Sequence, residues 1–358
     1  MLVWEIVVFV AGALIALLIV LSAVRTVAVP RGEQVMLARV LFTVSGGLFS
    51  LLARLTRNPD RREAVRARFA PITMLLMPFV WALCVITGFS LMFWSLGVRP
   101  FRNALVLSGS SFTTLGFRST DQTDELLLAI AEALLGLGLI ALLLSFMPAL
   151  YSAFSRREAL VSRLEVRAGQ PPSSEELLLR AHRIGWLDSL ADTWVGWELW
   201  FIEVEEAHTT YPALNYFRSP LAGRSWITAA GTVLDSASLL LSTVALPPTP
   251  EASLCIRSGY VALSRIAEFF GIDYDADPSP SDPISITREE WDAVCRRLEA
   301  EGVPLVADRE QAWRDFAGWR VNYDKALTGI CALVDAPFAS WSSDRSPVGW
   351  PDARRPAD

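Results

Sequence analysis

Lysine is almost missing from this chain. Of its 32 basic residues only Lys325 is not an arginine, a bias that fits a GC-rich bacterial genome. Histidine is nearly as scarce, with His182 and His208 alone. No G-x-G-x-x-G follows a strand pattern, and there is no P-loop, kinase or hydrolase motif. With two histidines as the whole stock of general bases of that type, an enzyme is not expected. The four cysteines, Cys84, Cys255, Cys295 and Cys331, form no C-x-x-C pair. That excludes a disulfide framework and suits small buried hydrophobes in a reducing cytoplasm. Charge is thin too, at 20% of residues against about 25% in an ordinary soluble domain.

What the chain has instead is apolar sequence, unevenly placed. It is 358 residues long and 52% hydrophobic, and the long apolar runs lie before Tyr151. Residues 1–157 carry 14 basic and 8 acidic side chains, net +6; residues 158–358 carry 18 and 30, net −12. A basic membrane half with an acidic soluble half lacks the basic footprint of a nucleic-acid binder. Three runs reach the roughly 20 residues that a bilayer-spanning helix needs: Val7 to Val24, Ile72 to Val98 and Leu126 to Ala153. The first is expected to be a retained anchor rather than a signal peptide, because its start carries Glu5 and no basic residue. Nine arginines lie between Arg25 and Arg68 and assign that segment to the cytoplasm. The expected topology is multi-pass in the cell membrane, with the N-terminus outside and the C-terminal half cytoplasmic. Within 35–55, Leu37, Leu41, Val44, Leu48 and Leu52 fall at helical spacing and predict an interfacial helix. A fourth span through Arg39 would cost about 2.5–3.5 kcal/mol with the guanidinium at mid-membrane.

Residues 99–125 read RPFRNALVLSGSSFTTLGFRSTDQTDE. The segment is too short and polar to cross as a helix. It holds one helical run, Phe101 to Phe112, then an extended Thr-Thr-Leu-Gly-Phe. Backbone of that kind at membrane depth is tolerated only against protein or a water-filled cavity, which suggests a re-entrant loop. Span, short helix, T-T-L-G-F and span together resemble the pore module of two-transmembrane potassium channels, over about residues 72–154. In that family the filter T-V-G-Y-G replaces the hydration shell of the ion with carbonyl oxygens. The resemblance implies that Thr114, Leu115, Gly116 and Phe117 match the first four filter positions and Thr113 the threonine before them. Phe101 to Phe112 would be the pore helix, and the third span the inner helix, with Gly136 and Gly138 serving as hinge or as packing contacts. It also implies a homotetramer in a lipid bilayer, with potassium or another monovalent cation as permeant ion and no cofactor.

Arg118 stands where the family has its second filter glycine, and Ser119 where it has aspartate. Three consequences stay open: loss of the outermost ion site, a turn of Arg118 toward Asp121, or a loop closed at rest. Arg99, Arg102 and Arg118 balance Asp121, Asp124 and Glu125, so the outer mouth offers no net steering of cations. Glu132 is ionisable within a span and is expected to support the back of the pore helix or filter.

The C-terminal half reads as helical, with Ser174 capping a helix that runs on to Glu206. The apolar stretch 226–246 holds Asp235 and is expected as a buried core helix. Capping-box spacing at Thr287–Glu290 and Asp308–Gln311 opens two more helices. Glu203, Glu205, Glu206 and His208 are the one candidate ligand cluster, for a divalent ion or a proton, with a solvated helix end as the plain alternative. The aromatic segment HTTYPALNYFRSP suggests a structured turn without a function attached.

The expected architecture is therefore an all-α membrane protein. It has an N-terminal span (1–30), a basic interfacial segment (31–70), a pore module (71–157), a cytoplasmic helical domain (158–335) and a loose tail (336–358). The expected function is a pore-loop cation channel, gated or assembled by the cytoplasmic domain, whose own ligand or partner is unknown. The alternative is a non-conducting membrane-anchored sensor or scaffold that keeps the pore-loop fold.

Overall fold

The structure is a computed structural model that describes residues 2–28, 36–56, 59–221, 223–247 and 249–345. Arg31, Arg57, the side chain of Arg39 and the end of the expected loose tail lie outside the described residues. The chain divides into two compact units, Met1–Ser152 and Ala153–Asp358. The described residues are helical apart from turns, loops and one isolated bridge between Val244 and Leu305.

In the first unit, α1 (Leu2–Ala28), α2 (Met36–Leu55), α3 (Pro59–Leu96), α4 (Phe101–Phe112) and α5 (Thr123–Ala168) follow in order. Three of them, over Val3–Thr26, Ala64–Leu96 and Thr123–Ala168, are long and apolar enough to cross a bilayer. This is a membrane-associated chain. Helices α1 and α3 run antiparallel: Glu5 lies 3.8 Å from Arg99, Gly12 meets Gly88, and Ala23 joins Met77 and Trp81. The middle contact is backbone on backbone. A Cβ on Gly12 would sit 2.4 Å from the Gly88 carbonyl oxygen, and one on Gly88 2.8 Å from that of Gly12. Below the crossing, Leu37, Leu41 and Phe42 of α2 pack on the Ala23–Met77–Trp81 cluster. Phe42 then meets Phe69 edge-on and Phe49 meets it tilted, at 5.8 and 6.0 Å between ring centres. The opposite stripe of α2, with Val40, Val44, Leu48 and Leu52, is exposed. The leucine stripe is thus packed at its start, at Leu37 and Leu41, and open from Val44 to Leu52.

The 12 residues of α4 amount to about 18 Å of helix, well short of the roughly 30 Å hydrocarbon core. Ala104, Leu107 and Phe112 are buried in one cluster with Val85, Phe89 and Phe93 of α3.

The second unit contains the end of α5 and then α6 (Ser174–Arg183), α7 (Ala191–Thr210), α8 (Trp226–Thr243), α9 (Pro250–Phe269), α10 (Arg288–Ala300), α11 (Arg309–Arg320) and α12 (Asp324–Leu333). Helix α8, the apolar stretch around Asp235, is buried along nearly its whole length. The expected continuous helix from Ser174 to Glu206 is instead broken. Gly185 turns left-handed at φ +66, and the Gly185 and Trp186 N–H groups fold back on the His182 and Ala181 carbonyls. The cap of α6 is Ser173, one residue earlier than expected, accepting from the Glu176 N–H. The capping box at Thr287–Glu290 is formed in both directions, and Asp308 accepts from the N–H groups of Glu310 and Gln311.

Residues 336–345 are packed rather than loose. Ala339 and Ser342 are fully buried, and the Trp341 carbonyl accepts from Arg320 at 2.7 Å. Arg320, itself without exposure, also reaches Asp235 and Asp324 at 2.6 Å each. Burial opposes its charge, but the two carboxylates prevail and raise its pKa.

Candidate functional site

The loop after α4 is folded back on the helix that precedes it. Thr113 closes the last turn, its N–H and hydroxyl both donating to the Gly109 carbonyl, at 3.2 and 2.6 Å. The Thr114 N–H donates to Ser111, and that of Gly116 to Ser110, at 3.0 and 3.4 Å. Ser110 is the central tie. Its hydroxyl accepts from the Arg118 N–H at 3.1 Å and donates to the Arg118 carbonyl at 3.2 Å.

The backbone alternates in hand along this loop. Thr113 has φ −82, Thr114 +57 and Gly116 +67, while Leu115 stays on the ordinary side. A threonine in the left-handed region costs about 1–2 kcal/mol and marks a site held by its surroundings. Thr113 to Ser119 are all exposed in the single chain, Leu115 at 70% and Phe117 at 66%.

Arg118 does not turn to Asp121. Its guanidinium reaches the side-chain oxygen of Asn103 at 3.4 Å, on the first turn of α4. The three carboxylates expected at an outer mouth part company. Asp121 and Asp124 are exposed, whereas Glu125 is buried and accepts from the Thr120 hydroxyl.

Behind α4, Glu132 is without exposure. Its Oε1 lies 2.5 Å from the Ser108 hydroxyl, which also stands 2.9 Å from the Ile86 carbonyl. The carboxyl group of α5 is thus joined through one serine to both α4 and α3, and its Oε2 has no partner. Gly136, one turn on, supports the same junction. A Cβ there would meet the Phe112 carbonyl oxygen at 2.4 Å, while Gly138 faces open space. Ser108, Ser110 and Asn103 do not stand out in the sequence. Their signal is a serine or asparagine on the inner face of a short helix, and it needs the partner helices to be read.

No family model, curated protein or solved structure matches the chain. The site stands on its own geometry.

The second candidate cluster does not assemble. Glu203 and Glu206 are exposed, and Glu203 stands 4.0 Å from Arg156. Glu205 takes both its oxygens to Arg265, at 3.0 and 2.8 Å. His208 is fully buried, edge-on to Trp226 with ring centres 4.2 Å apart. Its Nδ1 pairs with the Asn215 side-chain oxygen at 2.8 Å, and its Nε2 faces the Arg157 guanidinium at 3.3 Å. Burial and then Arg157 push its pKa well below the ordinary value. The neutral ring therefore donates from Nδ1–H and accepts at Nε2. Among the described residues no group of three or more ligating side chains could hold a metal ion. Arg157 organises this corner, donating to Glu158 and to the Leu214 and Phe217 carbonyls. In the sequence it was legible only as a basic residue following a span.

Proposed function

We propose that the chain is one subunit of a pore-loop cation channel. The observation that carries this reading is the α4–loop unit. A helix too short to span is half-buried between two helices that are long enough, and it ends in an exposed loop of alternating backbone hand. Alternation of that kind turns successive carbonyls toward one side, as a ring of oxygen ligands requires. Several copies, four by the family resemblance, would bring their loops together around one axis and cover Leu115 and Phe117. Thr113 to Phe117 would contact a dehydrated monovalent cation, potassium by resemblance. The Ser108–Glu132 pair and Gly136 would hold α4 at fixed depth. The positive-inside rule places the N-terminus outside and the acidic unit in the cytoplasm, where it would gate or assemble the pore.

Purified protein in planar bilayers is the test. Cation currents abolished by Gly116→Val support the reading. Absence of current across pH, divalent and voltage conditions counts against it and favours the second reading, a non-conducting membrane anchor. One observation speaks for that alternative: Ser110 occupies the Arg118 N–H and carbonyl. Ser110→Ala would then restore conduction if that tie is what closes the loop.

A further inference from the structure

In the Ala153–Asp358 unit, the aromatic turn leads from Asn215 into α8 and walls a hollow of about 10 Å³, room for one water-sized atom. Arg218, Ser219, Arg224, Ser225, Trp226 and Val334 line it. Helix α8, 18 residues long, starts here without a side-chain cap, although Ser225 has the extended backbone of a capping residue. The Ala229 N–H donates to the Ser225 carbonyl at 3.0 Å. The N–H groups of Trp226, Ile227 and Thr228 have no partner among the described residues, and all three residues are buried. A buried helix start without partners calls for an acceptor from elsewhere.

Two further donors wait at the same place. Ser219 is only 6% exposed and its hydroxyl has no hydrogen-bond partner. Arg224 gives its terminal nitrogens to Ser162, at 2.9 Å, and to Glu165, and its buried Nε–H is left over. Arg218 completes the wall, held by the Val334 and Asp335 carbonyls at 3.3 and 2.7 Å. The nearby acids are already engaged: Glu165 pairs with Arg224 and Asp335 with Arg218. A hydroxyl, two guanidinium groups and the positive end of a helix dipole thus converge on a space with no unengaged carboxylate. That is the chemistry of an oxyanion site.

We propose that this hollow binds a phosphate group, one oxygen seated among Ser219, Arg224 and the Trp226 N–H that opens α8, and the others facing solvent. Inorganic phosphate and the end of a phosphorylated metabolite share this chemistry. The proposal does not rest on the pore reading.

The test uses the full chain in a maltoside detergent, which carries no phosphate. Calorimetric titration and thermal unfolding are followed with inorganic phosphate, with a nucleoside monophosphate, and with chloride at matched ionic strength. Saturable binding of one phosphate per chain is expected, with a rise in Tm that chloride does not reproduce. Ser219→Ala should unfold at the wild-type temperature without phosphate, since its hydroxyl has no partner to lose. It should bind phosphate about tenfold more weakly, or worse, the effect of one hydrogen bond to a charged group. Tighter binding of the nucleotide points to a phosphorylated metabolite; equal or weaker binding points to free phosphate. No heat and no Tm shift with either probe at millimolar concentration overturns the proposal. So does a shift that Ser219→Ala retains in full. Neither result bears on whether bilayers carry current.

Discussion

Single residues in this protein are governed by what their nearest partners leave them. Arg118 is the clearest case at the loop. It reaches Asn103 rather than an acid, so its charge stays exposed on the loop beside a neutral partner. Arg118→Gly should remove that charge; in bilayers the reversal potential should shift toward greater potassium over sodium selectivity. His208 gives a prediction in the second unit. Its folded pKa lies below the value near 6.5 of a free histidine, because burial and then Arg157 oppose a second positive charge. Arg157 of α5, itself paired with Glu158, and Asn215 and Trp226 face it. The unfolded chain therefore takes up a proton that the folded chain refuses, and its contribution is present in full above about pH 6.5 and declines as the pH falls from there toward the folded pKa. Thermal unfolding from pH 7.5 down to 5.5 should show the fall, and His208→Gln should flatten it. The sequence marked His208 as part of an acidic cluster because adjacency in the chain is visible there. Burial under Trp226 depends on a helix 18 positions later, and that is not.

Elements show the same division between near and far. The bounds of α4 were legible to the residue, since Pro100 starts it and a Gly-Ser-Ser-Phe-Thr-Thr stretch ends it. The two faces of α2 were not. Its leucine spacing describes one stripe, yet Phe42 and Phe49 attach it to Phe69 through a face that the leucine count passed over. The α1–α3 crossing was equally hidden, because Gly12 and Gly88 are ordinary small residues until their backbones are seen to touch. With 2.4 Å available at Gly12, Gly12→Leu must push the helices apart. Overpacking typically costs about 1–3 kcal/mol, and backbone offers less give than a side chain. A lower Tm of the detergent-purified protein is expected, with Gly47→Leu, at a glycine facing open space, as the neutral control.

At the scale of the whole chain, the contrast in charge separates a net +6 sequence from a net −12 one, and the two compact units divide near the same place. The Ala153–Asp358 unit is held by a buried ion cluster as well as by apolar packing. Arg320 joins Asp235 of α8, Asp324 of α12 and the Trp341 carbonyl, and Tyr323 donates to Asp235 at 2.8 Å. Removing one partner of a buried ion pair typically costs about 3–5 kcal/mol, so Arg320→Ala should destabilise this unit severely. Cys255, Cys295 and Cys331 report on it directly. All three are buried free thiols, and burial raises their pKa, that of Cys295 to about 12. Maleimide should label them slowly in the wild type and many times faster in Arg320→Ala. The tail from Ala336, polar and proline-rich, looked loose because composition does not record that a guanidinium far inside is waiting for a carbonyl.

That carbonyl also imposes an order of events on biosynthesis. Arg320 obtains its Asp235 partner early and its Trp341 partner only when the chain has emerged some twenty residues further. Until then a nascent polypeptide carries a cation whose shell is incomplete. The second unit therefore closes late, and ribosome-bound chains halted before Trp341 should remain open to protease where chains carried past it do not.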